Sequence, residues 1–477
     1  MRKTKIVCTL GPASMNRETI AALIRAGMDV ARLNTSHGDP KQHTGAIQLV
    51  REVSAEEGRP IGILMDLAGP KLRTGRTSGH KPVELEPGAE VQLVPEDVAA
   101  TPEKISVAYP RLLQDIRAND PVLLDDGAIE LIVDRVDADA LYCRVIYGGE
   151  LGEHKGVSFP KTALTMPSIT EHDRNYIKLG VREGVDYFGL SFVRDASDVI
   201  AAREIIASHN ADVPVIAKIE RRQAVENLDA ILTEADGAMV ARGDLGVELP
   251  TEDVPVQQHR IITASGRAMI PVITATQMLE SMMESTRPTR AESSDVAHSV
   301  WDLSDALMLS GETAIGRYPV ESVAMMDRII TRAESAFPAE PEMLAHSGDD
   351  DHSYVVAVAT RQIIESDANM RGVVCFTRSG YTALLLSKVH QPAPIFAITP
   401  SEAVCRRLTL ARSVIPMMAP TVESTEEILQ TVDRILVEGH YLTAGDEVVV
   451  VASMPVQAAG TTNFLKLHVI GESSPAE

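Results

Sequence analysis

Short apolar runs that end in polar residues recur along the first two thirds of the chain. Eight of them have the length and β-branched content of strands: KIVCTL at 5–10, DVARLN at 29–34, IGILMD at 61–66, YFGLSF at 187–192, VIAKIE at 215–220, GAMVARGD at 237–244, PVITATQ at 271–277 and DALMLSGE at 305–312. Helix-like segments such as 16–26 and 196–208 lie between most of them. Strands alternating with helices in this way predict an α/β fold, a (β/α)8 TIM barrel. The polar residues at the carboxyl ends of barrel strands gather at one face, which holds the active site.

The alternation breaks once, between residues 71 and 166. Stretches such as VELEPGAEVQLV and PVLLDDGAIELIVDRV alternate with period two and contain turn residues, as strands do. We therefore expect an all-β insertion at 71–166, a β-barrel lid over the mouth of a barrel formed by 1–70 and 167–340. A lid that closes on substrate excludes water and so strengthens charge interactions in the cleft.

A second alternation of strands and helices follows the polar segment AHSGDDDHS at 345–353. Its strand-like runs are VVCF at 373–376, PIFAI at 394–398, VIPMM at 414–418 and EVVVVAS at 447–453. The pattern predicts a separate, open α/β domain over 345–477.

The composition of the chain limits the kinds of molecule that the protein is expected to bind. The 477 residues are 44% hydrophobic and 23% charged, and the formal net charge of −22 argues against a nucleic-acid partner. An anionic small molecule remains possible if a cleft concentrates Lys and Arg. Four cysteines lie far apart without a CxxC pair, and no apolar run approaches the ~20 residues of a membrane span. These features predict a cytoplasmic protein.

Two strand ends carry carboxylates of the kind that bind magnesium. Lys218 and Glu220 are two apart on a strand and point to the same face, and Asp244 follows Gly243 at the next strand end. Each has a plainer interpretation, a solvated charge pair for the first and a turn with Asp244 as helix N-cap for the second. On the functional interpretation, backbone N–H groups at the helix start hold a substrate carboxylate, and Glu220 with Asp244 ligates a hard divalent cation.

Other strand ends supply cationic and hydroxyl groups. Arg32, Asn34 and Ser36 are evenly spaced, and an arginine there suits bidentate binding of phosphate. The alternative is a polar loop in which Ser36 or Asp39 caps the next helix. Thr276 ends a strand and either binds a carboxylate or water, or packs as a β-branched residue with a satisfied hydroxyl. Together these groups suit a phosphorylated carboxylate bound through magnesium. Walker A, HRD and DFG motifs are absent from the sequence.

Seven motifs resemble those of pyruvate kinase. They are KTKIVCTLGPAS, ARLNTSHG, GPKLRTG, AKIE, ARGDLGVELP, TATQMLESM with PTRAE, and SGETA with the following YP, and they run in the family's order from residue 3 to about 320. The resemblance implies a barrel, an inserted β lid, a C-terminal α/β regulatory domain and a homotetramer. It also implies a glycolytic reaction in which phosphoenolpyruvate and ADP give pyruvate and ATP through an enolate.

The resemblance assigns the reacting groups. Arg32 and Lys218 would hold the transferring phosphoryl group, and Lys218 would also stabilise the enolate. Glu220 and Asp244 would ligate Mg2+, or Mn2+ in its place. Such a site works by positioning and by neutralising charge rather than by covalent chemistry.

The same resemblance assigns the groups around the substrate. Backbone N–H groups of Gly243 and Asp244, with the Thr276 hydroxyl, would bind the substrate carboxylate. Thr276 would lie on the side where the enolate is reprotonated. Arg73, after the GPK turn, would help to bind the phosphates of ADP or ATP.

The stretch DLAGPK departs from many members of the family. Those enzymes hold a potassium ion beside the phosphate with the counterparts of Asn34, Ser36, Asp66 and the residue after it. They have threonine where this chain has Leu67 and glutamate where it has Lys71. The resemblance therefore implies the potassium-independent branch, in which the Lys71 ammonium stands in for the ion.

A possible effector site lies in FTRSGYTA at 376–383, where a strand should meet a helix. Small and hydroxyl residues at such a junction suit a phosphate at a helix N-terminus, with simple capping as the alternative: Thr377, Arg378, Ser379, Gly380 and Thr382. The resemblance implies an allosteric pocket there for a sugar phosphate or nucleotide monophosphate, completed by the loop at 453–463. That loop contains no Lys or Arg. We expect an activator with a single phosphate rather than a bisphosphate.

Two other functions fit part of this pattern. A magnesium-dependent barrel that cleaves carbon–carbon bonds in enolpyruvate chemistry would use the same carboxylates, and ADP dependence would distinguish it. A non-catalytic metabolite sensor should have lost Lys218, Glu220 or Asp244, and all three are present.

Overall fold

A computed structural model describes residues 1–162, 164–336, 351–422, 424–453 and 462–472. The first part of the chain alternates strands and helices as predicted: β1 Lys5–Thr9, α1 Arg17–Ala26, β2 Val30–Asn34, α2 Pro40–Glu56 and β3 Gly62–Asp66. Asn16 caps α1, and Asp39 with Gln42 forms a capping box at the start of α2. Asp39 rather than Ser36 is therefore the helix cap in this loop.

The insertion at the barrel mouth is almost entirely β structure, with its own hydrophobic core. Its elements are β4 Val83–Leu85, β5 Glu90–Val94, β6 Lys104–Ser106, α3 Leu112–Asp115, β7 Pro121–Leu124, β8 Ile129–Val136, β9 Leu141–Tyr147, β10 Gly149–Leu151 and β11 Val157–Ser158. Two details differ from the prediction. The insertion contains the short helix α3, and its strands form a six-stranded sheet and a separate pair rather than one closed barrel.

The chain then returns to complete the barrel. The elements are α4 Glu171–Glu183, β12 Tyr187–Leu190, α5 Ala196–Ser208, β13 Val215–Ile219, α6 Arg222–Glu226, α7 Leu228–Glu234, β14 Gly237–Ala241, α8 Arg242–Glu248, α9 Val254–Arg267, β15 Val272–Ala275, α10 Arg290–Trp301, β16 Ala306–Leu309, α11 Gly311–Ala314 and α12 Pro319–Ala336. Short 3-10 turns lie at Ser78–His80, Thr251–Asp253, Glu280–Met283 and Leu408–Leu410.

Eight parallel strands close into a ring in the order β1-β16-β15-β14-β13-β12-β3-β2, which confirms the predicted barrel. Its strands are buried on both faces, and this explains why they read as continuous apolar runs. The run at 237–244 was predicted too long, because the strand ends at Ala241 and α8 begins at Arg242. Asp244 accordingly lies in the first turn of α8 and is not its N-cap.

The C-terminal part forms an open five-stranded α/β unit. Its elements are α13 Asp351–Ser366, β17 Met370–Phe376, α14 Tyr381–Lys388, β18 Ile395–Thr399, α15 Glu402–Arg407, β19 Val414–Met418, α16 Thr425–Glu438, β20 Glu447–Ala452 and β21 Phe464–Val469. The sheet order is β19-β18-β17-β20-β21, and the antiparallel edge strand β21 was not predicted. Most of the predicted polar segment at 345–353 lies outside the described residues. None of the helices in the described ranges is long and apolar enough to cross a membrane.

Candidate active site

Four neighbouring barrel strands bring charged side chains together at the mouth. Arg32 lies on β2, Asp66 ends β3, Ser191 follows β12 and Lys218 lies on β13. The Asp66 carboxylate accepts from Arg32 Nε at 2.7 Å and lies 3.2 Å from Lys218 Nζ. Lys218 also donates to Ser191 Oγ at 2.6 Å and lies 2.8 Å from Glu220 Oε1. We call Arg32, Asp66, Ser191, Lys218 and Glu220 the ion-paired cluster.

Gly189 makes the contact between Asp66 and Lys218 possible. Strand β12 separates β3 from β13, and Gly189 lies directly beside Asp66 in the β3–β12 register. A Cβ atom on Gly189 would lie 3.1 Å from Asp66 Oδ1, closer than most side chains tolerate. The missing side chain therefore leaves room for the carboxylate to reach across β12 toward Lys218.

The buried charges in the cluster control one another's protonation. Burial alone would raise the pKa of Asp66, but the adjacent Lys218 and Arg32 outweigh it and hold that pKa below its ordinary value. Burial opposes the charged form of Lys218, whereas Asp66 and Glu220 favour it and raise its pKa. These carboxylates therefore favour the charged ammonium form of Lys218 at neutral pH, which suits it to binding phosphoryl and enolate oxygens.

Glu220 and Asp244 bring two carboxylates together beside Lys218, as the sequence predicts for a divalent-cation site. Both side chains line one small cavity between the barrel mouth and the lid. Burial raises the pKa of Glu220, and the negative charge of Asp244 raises it further against the opposing effect of Lys218. A cation beside these two carboxylates would relieve that mutual repulsion. Two carboxylates with room for substrate oxygens match the preference of magnesium, although no group of three or more His, Cys, Asp or Glu side chains capable of holding a metal occurs among the described residues.

Lys71 lies on the lid side of this cavity. Its ammonium is 4.0 Å from Asp244 Oδ1 and 3.7 Å from Asp126 Oδ1, which belongs to the lid. The described ion pairs and hydrogen bonds do not join Lys71 to Asn34, Ser36 or Asp66. Asp66 instead pairs with Arg32 and Lys218, as given above.

The nearby Asn34 and Ser36 interact with each other. The Asn34 side-chain oxygen accepts from the Ser36 backbone N–H at 3.1 Å, which fixes the loop after β2. These two residues therefore lie at the end of β2, the strand that carries Arg32, and in the loop that follows it.

Thr276 has an unusual backbone conformation at the end of β15. Its φ is +67°, a left-handed value that costs a β-branched residue about 1–3 kcal/mol and that persists where the surroundings enforce it. Arg242 enforces it by donating to the Thr276 carbonyl from Nη2 at 2.5 Å while pairing with Asp295 at 2.6 Å. The Thr276 hydroxyl accepts from the Gly243 N–H at 2.8 Å. Two protein groups that are predicted to bind the substrate carboxylate are therefore hydrogen-bonded to each other.

The lid contacts the barrel beside these groups. Ser158 Oγ of β11 donates to Glu248 Oε1 of α8 at 2.7 Å, and both residues line the cavity that contains Glu220. Arg73 Nη1 donates to the His154 carbonyl at 2.9 Å, which holds the chain after the GPK turn against the lid. The cleft is therefore covered on the lid side.

The predicted effector residues gather where β17 meets α14. The Thr377 hydroxyl accepts from the Gly380 N–H at 2.9 Å, and Thr382 Oγ1 lies 2.8 Å from Thr462 Oγ1. Gly380 has φ +91°, which suits glycine at this helix start. Ser379 and Arg378 complete the loop, and most of the predicted completing loop, residues 454–461, lies outside the described residues.

Sequence reasoning missed three residues that the structure places in or behind the site. In the sequence, Ser191 is an ordinary serine after a strand, and Gly189 is a residue that weakens a strand. Arg242 precedes Gly243 and Asp244, which carry the clearer chemical signal. Their spacing along the chain does not reveal them, because their partners lie on elements far away in the sequence. A glycine inside an apolar strand is the one signal that indicates a close approach of another group.

Comparison with known proteins identifies the family of the chain. A family described as "Pyruvate kinase, barrel domain" matches residues 1–323, and one described as "Pyruvate kinase, alpha/beta domain" matches residues 355–468. The chain is 44% identical over 476 residues to a pyruvate kinase of Geobacillus stearothermophilus, covering 99% of this chain and 81% of that protein. It is 43% identical over 471 residues to a pyruvate kinase of Mycobacterium tuberculosis, covering 99% of both. A crystal structure of a pyruvate kinase from Cryptosporidium parvum superposes with a TM-score of 0.91 at 34% identity, covering 98% of this chain and 96% of that one.

Proposed function

The chain belongs to the pyruvate kinase family, and on that premise we propose how its residues carry out the reaction. The enzyme is a glycolytic phosphotransferase that converts phosphoenolpyruvate and ADP into pyruvate and ATP. Enzymes of this family use Mg2+ with the nucleotide. The comparisons give no support to the carbon–carbon lyase or to the non-catalytic sensor.

The observation that carries the residue roles is the position of the Lys218 ammonium. It is buried and held by Asp66, Glu220 and Ser191 at the carboxyl end of β13, where the two carboxylates favour its charged form. Lys218 and Arg32 bind the phosphoryl group during transfer, and Lys218 then stabilises the enolate oxygen that transfer leaves behind. Both roles need a fixed positive charge in a site from which water is excluded.

The metal and the substrate carboxylate bind on the other side of Lys218. Glu220 and Asp244 would hold Mg2+, with Mn2+ as an acceptable substitute, and the ion would supply positive charge to offset the phosphate and enolate oxygens. The N–H groups of Gly243 and Asp244 and the Thr276 hydroxyl bind the carboxylate. Because the Thr276 hydroxyl accepts from the Gly243 N–H, its own proton can be donated to the carboxylate, on the side where the enolate is protonated.

Arg73 and Lys71 act on the phosphates from the lid side. Arg73 binds nucleotide phosphates where the chain enters the lid. Lys71 supplies the single positive charge that a potassium ion provides elsewhere in the family, so potassium is not required. Its proximity to Asp244 and to the lid residue Asp126 supports this role, because the ammonium already occupies a negatively charged part of the cleft.

We extend the proposal to the whole assembly. Residues 71–166 act as a lid on the barrel of 1–70 and 167–340, and residues 345–477 regulate it. The effector loop at 377–382 binds one phosphate of an allosteric activator, and the active form is a homotetramer. The four cysteines are buried and free, as expected of an enzyme that works in the reducing cytoplasm.

The test is the initial rate of pyruvate formation with Mg2+ and ADP, in potassium-free buffer and again with potassium added. We expect equal, substantial rates in the two buffers and a loss of at least about a thousandfold in Lys218→Met. Lys388→Met is the matched control, because Lys388 is also a buried lysine paired with a carboxylate, Asp305, but lies away from the mouth. It should lose stability and keep kcat.

Three results would contradict the proposal. Activity that appears only with potassium would remove the role of Lys71. A Lys218→Met variant that works as well as Lys388→Met would remove the role of Lys218. Turnover of phosphoenolpyruvate without ADP would contradict phosphoryl transfer itself.

A further inference from the structure

The hydroxyl of Ser191 lies at the centre of the ion-paired cluster, and the roles above give it none. Ser191 is 2% exposed, and its Oγ lies 2.6 Å from Lys218 Nζ, 2.7 Å from the Leu67 carbonyl oxygen and 3.5 Å from Asp66 Oδ1. An ammonium can only donate, so Ser191 must accept from Lys218. Its single proton then goes to Leu67, whose oxygen is the nearer acceptor.

This arrangement fixes the direction of the Lys218 ammonium. The other two partners of Lys218 are carboxylates with competing interactions, since Asp66 also binds Arg32, and Glu220 also accepts from the Phe192 N–H at 2.7 Å. Ser191 is the neutral partner. The Ser191 hydroxyl is held in place because it donates to the Leu67 carbonyl. It therefore orients the Lys218 ammonium without neutralising the positive charge that binds the substrate.

Ser191 also joins this cluster to the turn that carries Lys71. Its hydrogen bond to the Leu67 carbonyl holds the peptide that joins Leu67 to Ala68. The turn packs closely on the same place, because a Cβ atom on Gly69 would lie 2.7 Å from Phe192 Cδ2 and 3.1 Å from Ser191 Cβ. A shift of Ser191 would therefore move both the Lys218 ammonium and the start of the Lys71 turn.

We propose that Ser191 is a positioning residue for phosphoryl transfer, which aims the Lys218 ammonium at the reacting oxygens and fixes the Leu67 peptide behind it. The inference rests on the proposed role of Lys218. It does not require Ser191 to touch the substrate.

The test compares Ser191→Ala with Ser304→Ala. Ser304 is a matched control, because it is also buried and shares a 2.6 Å hydroxyl contact, with Thr274, but it lies before β16 at the opposite end of the barrel. We expect both variants to lower the thermal midpoint by similar amounts. Ser191→Ala alone should lower kcat at least tenfold, about 1.4 kcal/mol of transition-state stabilisation, with the KM for ADP within twofold of the unmodified enzyme.

Two further variants keep the test decisive. Ser191→Cys nearly preserves side-chain volume but accepts hydrogen bonds weakly, so it should also lose kcat at least tenfold, and it replaces Ser191→Ala if that variant does not fold. In a Lys218→Met background, Ser191→Ala should add less than a twofold loss, because its effect passes through Lys218.

The outcomes separate this inference from the proposed function. A kcat within twofold of normal in the folded Ser191 variants, with Lys218→Met inactive, overturns the inference and leaves the role of Lys218 intact. A full further loss in the double variant also overturns it, since Ser191 would then act independently. An active Lys218→Met enzyme would overturn the proposed function first, and the inference with it.

Discussion

Replacing Lys71 by glutamate should turn this enzyme into one that needs potassium. The ammonium lies 3.7 Å from Asp126 and 4.0 Å from Asp244, so a glutamate would place a third carboxylate beside two others. Such a cluster of negative charge opposes the binding of phosphorylated substrates until a cation neutralises it. A monovalent cation beside this cluster would restore the charge that the lysine supplied.

The distances set the size of the effect. Two unit charges 4 Å apart interact by about 4 kcal/mol at an effective dielectric constant of about 20. The Lys71 side chain is 35% exposed, so solvent screening reduces this, and we take about 2 kcal/mol as the net change. That free energy corresponds to a roughly 30-fold loss of kcat/KM for phosphoenolpyruvate in potassium-free buffer.

The assay is the initial rate as a function of potassium concentration. Lys71→Glu should recover most of its activity as potassium is added, whereas sodium or a bulky tetraalkylammonium ion at the same ionic strength should not restore it. Lys71→Met is the matched control: it removes the positive charge without adding a ligand, so it should be slower and show no rescue. Normal activity of Lys71→Glu without potassium, or equal rescue of Lys71→Met, would refute the reasoning.

Three more predictions concern the proposed metal ligand Glu220, the cluster residue Asp66 and the neighbouring Gly189. Glu220→Gln should raise the Mg2+ concentration needed for half-maximal rate by about tenfold or more, and an unchanged Mg2+ titration would argue against Glu220 as a ligand. Asp66→Asn should destabilise the enzyme by about 3–5 kcal/mol at pH 7, since it leaves buried cations uncompensated. Because the folded pKa of Asp66 is depressed, this contribution is fully present above the unfolded value of about 3.9 and is lost as the pH falls through the folded pKa. Denaturation midpoints of the two proteins should therefore converge in acid, and a constant difference would contradict the assignment. Gly189→Ala should displace the Asp66 carboxylate and lower kcat with little change in the KM for ADP, and normal kinetics would show that the close approach is unimportant.

Much of the fold can be read from the chain because strand ends and helix starts are local features. All eight barrel strands were predicted, since buried parallel strands are short apolar runs whatever they pair with. The antiparallel edge strand β21 was missed, and its partly exposed pattern lacks such a run. The end of β14 was placed too late, because nothing in ARGD shows that the helix begins at Arg242.

Some features of the candidate site are likewise readable from the sequence, and others depend on the fold. Local sequence patterns indicate which residue types stand near the strand ends: Lys218 and Glu220 on one face, Asp244 shortly after the next strand, and Lys71 after Asp66. Side-chain alternation along a strand has a fixed period, so these facts needed no tertiary information.

Which of these groups meet depends on the folded barrel. Asp66 joins Arg32 to Lys218 because the barrel places β2, β3, β12 and β13 side by side and because Gly189 leaves space between them. The 2.6 Å contact of Ser191 with Lys218 likewise depends on the pairing of β12 with β13. Strand order and register arise from closure of the whole barrel around a shared core, and no local stretch of sequence contains that information.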